Sequence, residues 1–312
     1  QGSPALAEDA LVARDCMLAL HTGASVNIQH ISSANSVRMV KLAKELGVFV
    51  LPMPFVINGE TFFEDISLSQ EAFYEKLQSD AAISTSQPAP GDILDLWDTL
   101  LQDHDAVVHI PMSSGLSGSC AAASALAAEY DGRVAVVNNQ RISVTQRQSV
   151  MDAAALARAG KSAAEIKEVL EKVKFESSIY IMVDTLQYLK KGGRITPAAA
   201  AVATVLRIKP VLQIQGEKLD AFAKARNEKQ ARTIMLEAMR RDMENRFGGA
   251  DQLRLFVAHT NNAAAAEEFS AMLRQELGVD ITYCDPLSLS VSCHIGPGAL
   301  AVACSKKIDR YL

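Results

Sequence analysis

Apolar residues recur at helical spacing between residues 5 and 21 (Leu6, Ala10, Ala13, Met17, Leu20), and Gly23 follows as a stop, which predicts an opening helix. SVNIQHI (25–31) then reads as a strand, VRMVKLAKELG (37–47) as a helix ended by Gly47, and VFVLPM (48–53) as a second strand. That β-α-β rhythm marks a parallel sheet. A turn at INGE (57–60), helices near 69–78 and 92–102, and an apolar strand AVVHIPM (106–112) come next. Beyond the polar loop SSGLSGS the pattern gives a helix to Tyr130, a strand RVAVVN (133–138), and two Ala-rich helices at about 145–159 and 162–173.

The second half has a different texture. SIYIMVD (178–184) is a strand with a helix after it, LKKGGRITP (189–197) a glycine-broken turn, and PVLQIQGEKLDAFAKA (210–225) alternates like a hairpin around Gln215 and Gly216. A long charged helix (227–246), strand LRLFVAHT (253–260), another helix, strand VDITYCD (279–285) and the apolar run ALAVACS (299–305) complete the chain. Strands and helices do not alternate one to one here. The expected fold is therefore α/β in two domains: an N-terminal Rossmann-like unit with a parallel sheet (1–160) and a C-terminal α+β unit (161–312).

Composition narrows the partners. At 312 residues the chain can bury a sizeable core. A net charge of −5, from 31 Lys and Arg against 36 Asp and Glu, argues against a nucleic-acid surface. The 5 cysteines (Cys16, Cys120, Cys284, Cys293, Cys304) form no CxxC pair, so reduced, buried thiols of an intracellular protein are expected. No apolar run approaches the ~20 residues of a membrane span. The first residues lack the charged and apolar regions of a signal peptide, and a cytoplasmic protein is expected.

Three segments share one design, a strand or turn that delivers small polar residues and glycines to a helix start or a sharp bend. They are Thr85-Ser86-Gln87 ahead of Pro88 and Pro90, the loop Ser113-Ser114-Gly115-Leu116-Ser117-Gly118, and His294-Ile295-Gly296-Pro297-Gly298. Free backbone N–H groups at such places favour an anion, although Ser or Thr before a helix is also a common cap and Gly-Pro-Gly a common turn. Other chemistries fail on their motifs. There is no GxxxxGK[ST] for a nucleotide, no GxSxG elbow, and no HxH or HExxH among the dispersed histidines. No cofactor or metal is expected. An anion site beside an apolar cavity would suit a fatty acid, whose carboxylate needs several donors while its tail needs only apolar lining.

From about residue 42 to the C-terminus the chain resembles the DegV family of bacterial fatty-acid-binding proteins. The matching motifs are VLPMPFVINGE (50–60), STSQPAPGD (84–92), SSGLSGS (113–119), VDTLQYLKKGGRI (183–195), RIKPVLQIQGEKL (207–219) and HIGPGALAV (294–302). The resemblance implies a two-domain protein that encloses one long-chain fatty acid between its domains. It implies the acyl-carrying subunit of a fatty acid kinase, not catalytic alone, whose separate ATP-binding partner phosphorylates the carboxylate to acyl phosphate for phospholipid synthesis. Transient contact with a membrane surface would suit such a carrier. Carried over by motif, Thr85, Ser86, Ser113 and Ser114 would be carboxylate donors, His294 would face the same head group, and Arg194 would join the head-group network or contact the partner.

The N-terminus departs from that pattern. Where the family has a strand ending in an Asp-Ser-Thr-like loop, this chain has HISSANS (30–36), and residues 5–47 look like part of a dihydroorotase, in which His30 would be a zinc ligand. The further ligands of such a site are missing. The chain therefore reads as a chimera, in which one β-α unit replaces another. Two rivals to fatty-acid binding follow: a chimera that keeps the fold with weakened or no lipid binding, and a metal-dependent amidohydrolase.

Overall fold

A computed structural model of the protein describes residues 48–64, 67–79, 81–196, 208–216 and 218–312. The elements expected within 5–47, and His30 with them, lie outside those residues. Burial on both faces marks the centre of the molecule. β9 (Leu253–His259) and β11 (Leu300–Lys306) are almost wholly buried, as strands centred on the apolar runs LFVA (255–258) and LAVAC (300–304) should be in a sheet covered on both sides. They lie in a sheet of order β10-β9-β11-β6-β7-β8, with β6 (Ser177–Met182), β7 (Lys209–Ile214), β8 (Asp220–Ala225) and β10 (Ile281–Pro286). Within this sheet, among the described residues, only β10 and β9 pair in parallel, and β7–β8 is the expected hairpin.

The two-residue period of a strand sorts side chains to opposite faces. Leu255, Val257, Leu300, Val302 and Cys304 face a core built with Met235, Met239, Phe269 and Leu273. Those four belong to α7 (Glu228–Asp242) and α8 (Ala263–Leu277), numbered after the helices described below. Phe256, Ala258, Ala301 and Ala303 face the other way, toward Ile142, Val144, Leu189 and Ile295. A cavity opens on this second face.

The first half contributes a parallel pair, β4 (Val107–His109) and β5 (Val134–Val136). On one side Trp97, Ile93, Cys120 and Ala123 from α2 (Pro90–Asp103) and α3 (Ser119–Ala127) pack with Val134 and Val136. On the other, Leu156, Ile166 and Leu170 from α4 (Ser143–Arg158) and α5 (Ala163–Lys172) pack with Val137. Helices on both sides of parallel strands are the α/β arrangement expected. The fold is α/β with a parallel-containing mixed sheet. Among the described residues no helix is long and apolar enough to cross a membrane.

Three local expectations are corrected. Residues 48–53 carry no strand: Pro52 lacks a ladder donor, and the chain joins a sheet only at Pro54, the first residue of its strand, where proline is tolerated. β1 (Pro54–Ile57) turns through Asn58 (φ 51°) and Gly59 (φ 88°) into β2 (Glu60–Phe63), and β1 also pairs antiparallel with β3 (Ile83–Thr85). This small sheet packs with α1 (Gln70–Gln78). LKKGGRITP is partly helical, because α6 (Gln187–Gly192) runs through Lys191 before Gly193 stops it at φ 66°. Among the thiols, Cys120, Cys293 and Cys304 are buried as expected, whereas Cys284 is exposed, on an outward-pointing position of the edge strand β10.

Candidate functional site

Thr85 ends β3, opposite Phe55 of β1. Its Oγ1 lies 2.9 Å from Nε2 of His294, a residue 209 positions further along the chain. His294 belongs to α9 (Leu289–Ile295), a helix too short to be stable by itself. The small sheet and its helix hold it. The Glu64 carboxylate accepts from the Leu289 N–H at 2.9 Å, satisfying one of the free donors at the helix start. The Tyr74 hydroxyl lies 2.9 Å from Ser292 Oγ, and Leu289 and Cys293, one turn apart, enter the cluster of Phe55, Phe73 and Leu77. The neighbouring stripe of the same helix, Ser290 and His294, faces the cavity. Glu64→Ala should therefore lower stability by about 1–2 kcal/mol, read as a fall in urea midpoint at unchanged m-value.

The SSGLSGS loop approaches from the first half of the chain. The Ser113 N–H donates to the Arg141 carbonyl (2.9 Å), and the Leu116 and Ser117 N–H groups both donate to the Ser113 carbonyl (3.0 and 3.1 Å). Ser117 Oγ lies 2.7 Å from Ser119 Oγ. Gln87 rests against Gly118 so closely that a Cβ there would lie 2.9 Å from its Oε1, so this loop and the TSQ segment are in contact.

Between these loops and the sheet lies a cavity of about 220 Å³. Its polar wall includes Thr85, Ser86, Gln87, Ser117, Arg194 and His294, and its floor includes Ile179, Ile181, Ala258, Ala301 and Ala303. Burial, reinforced by the nearby Arg194 guanidinium, pushes the His294 imidazole down to about 4, so the ring is neutral at pH 7. The Arg194 guanidinium donates to the carbonyl of Gly192. Hydroxyls, an imidazole and one cation at the edge of an apolar chamber can hold an anionic head group whose remainder is hydrocarbon.

Of the residues singled out in the sequence, Thr85, Ser86, Arg194 and His294 line the cavity together. Ser113 and Ser114 are not among its lining residues; Ser113 is buried, and its Oγ accepts from the Gly115 N–H at 3.4 Å, closing the loop on itself. Gln87, Ser117, Ser143 and Ser290 line the cavity and were not singled out as donors. The first two lie inside the motifs already quoted and could have been included, whereas Ser290 sits on a helix that no periodicity announced. Among the described residues no group of three His, Cys, Asp or Glu side chains is placed to hold a metal ion.

Residues 33–307 match the family model described as an uncharacterised protein, DegV family. The chain belongs to the DegV family. A DegV domain-containing protein of Deinococcus radiodurans is 33% identical over 261 residues, covering 83% of this chain and 91% of that one. Among solved structures, a DegV family protein from Thermus thermophilus described for its fatty acid binding is 30% identical with a TM-score of 0.76, covering 86% of this chain and 95% of that one. DegV of Bacillus subtilis, described as a fatty acid binding protein, is 28% identical with a TM-score of 0.75 over the same shares of the two chains.

Proposed function

We propose that this chain binds a single long-chain fatty acid in the cavity and presents its carboxylate to a separate ATP-binding fatty acid kinase subunit, which converts it to acyl phosphate for phospholipid synthesis. The observation that carries the reading is the Thr85–His294 pair at the edge of a chamber floored by isoleucines and alanines. In this reading Thr85, Ser86 and His294 meet the carboxylate directly. Ser113 and Ser114 shape the loop that brings Ser117 to the same wall, and Arg194 offsets the negative charge. The two relatives whose descriptions name fatty acid binding support the ligand class. The division into domains at 160 and 161 is part of the same proposal, with the ligand between them, in the cytoplasm.

Each buried methylene of the tail contributes about 0.8 kcal/mol before ordering costs, so a long chain is retained and a short one is not. Native mass spectrometry of the purified protein, with lipid extraction of the same sample, tests this. One fatty acid per chain is expected, recovered on extraction. A protein that is empty and takes up no added palmitate would overturn the reading, as expected of a chimera whose dihydroorotase-like first segment had displaced part of the site. With the ATP-binding subunit added, acyl phosphate should form, and only then.

A further inference from the structure

His294 can serve a carboxylate only if its ring is held with Nε2 toward Thr85, and the contacts of α6 with α9 indicate what holds it. A Cβ built on Gly192 would lie 2.2 Å from His294 Nδ1 and 3.0 Å from its Cε1. A Cβ built on Gly296 would lie 2.3 Å from Cδ2 of Tyr188. The two helices thus approach at two points, each with an aromatic ring laid directly on a glycine of the other strip of chain. At Gly192 the requirement is space: the residue is helical, the last of α6. At its neighbour Gly193 the requirement is the reverse, since φ is 66° and nothing lies within 4 Å of a built Cβ.

We propose that Gly192 is the positioning residue for the head-group site: its bare backbone seats the Nδ1 edge of His294, and its carbonyl takes the Arg194 guanidinium, so one residue fixes two of the groups that meet the ligand's charge. A methyl group at this position drives the imidazole off its seat, away from Thr85. The inference rests on the fatty-acid reading for its consequence, but the steric seat itself does not depend on the ligand. Ring and methyl cannot share the space, so the cost of the methyl must vanish when the ring is removed.

The test is a cycle of Gly192→Ala, His294→Ala and the double variant, with Gly193→Ala as control. Tm, palmitate affinity and the NMR titration of His294 are measured. Gly192→Ala is expected to lower Tm and to weaken palmitate binding by about tenfold or more, as displaced binding groups do. The His294 titration should move from about 4 back toward the ordinary value as the ring leaves its buried seat. Added to His294→Ala, the same methyl should cost nothing further in Tm, and a double variant that folds where Gly192→Ala does not would support the seat equally. Gly193→Ala should lose stability through its backbone and keep wild-type affinity. Equal loss of Tm from the methyl in both backgrounds, an unchanged His294 titration, or a Gly193→Ala variant as weak in binding as Gly192→Ala would overturn the proposal. Unchanged palmitate affinity in His294→Ala alone would instead overturn the carboxylate reading, with the Tm cycle still deciding the seat.

Discussion

His294→Ala and Thr85→Ala should each weaken fatty acid binding by about 10–100-fold, the range for losing one hydrogen bond to a charged group. In the proposed mode the carboxylate would enter a chamber whose floor cannot solvate it, so a missing donor would not be replaced by the apolar side chains beneath. The double variant should lose less than the product of the two, because the residues touch at 2.9 Å and each depends on the other for its orientation. Displacement of a fluorescent fatty acid gives the three affinities. Ser113→Ala and Ser114→Ala should act only through the loop and fall short of either. Binding within twofold of the wild type in both His294→Ala and Thr85→Ala would remove these residues from the site, while a large loss in Ser114→Ala alone would put the loop serine in their place.

How much of this was readable in the sequence depends on how local the cause is. The central strands were legible because the runs LFVA (255–258) and LAVAC (300–304) at their centres are wholly apolar and need both faces covered. The turn between β1 and β2 was read at INGE, where Asn58-Gly59 is the strongest short signal for it, but its flanking strands were not, because the strand before it was placed at 48–53. The helix that carries His294 had no signal at all. LSVSCHI is serine-rich and short, and its first N–H is satisfied by Glu64, 225 residues earlier. Motif resemblance put Thr85 and His294 at one head group; local pattern could not have done so, because the pairing depends on how distant elements pack.

The same limit applies to the buried seam between α4 and the sheet. Arg141, 2% exposed, donates to Ser149 Oγ and to the Val173 carbonyl, while Asp152, equally buried, accepts from Gln148 at 2.8 Å and lies 3.7 Å from Arg254 of β9. Nothing in the spacing of these residues announced a polar interior. They tie the helix layer of the first half to the same sheet face that floors the cavity, and they are a reason why the loop anchored at Arg141 arrives where it does.

Acid should destabilise the empty protein between about pH 6.5 and 4, beginning above the range in which ordinary carboxylates take up protons. Burial lowers His109 to about 4, and the Trp97 indole N–H donates to its Nδ1 at 3.4 Å, a bond that only the neutral ring can accept. His294 is lowered to about the same value. In both cases the folded pKa lies below the unfolded one, so the unfolded chain binds more protons across this window, and stability present at pH 7 is lost as pH falls. For His109 the loss by pH 4.5 is about 2–3 kcal/mol; His294 borders the cavity and is partly solvated, so its share is smaller. Asp152 works in the opposite direction, since burial raises its pKa and the folded state then gains protons first. Urea unfolding at pH 7 and pH 4.5 should give a wild-type difference that shrinks in His109→Gln and, separately, in His294→Ala. Identical pH dependence in all three proteins would rule out these two histidines as its source and leave His259, which burial also lowers. A bound carboxylate favours the charged imidazole. Fatty-acid-loaded protein should therefore hold its stability further into acid than empty protein, and that difference should disappear in His294→Ala while surviving in His109→Gln.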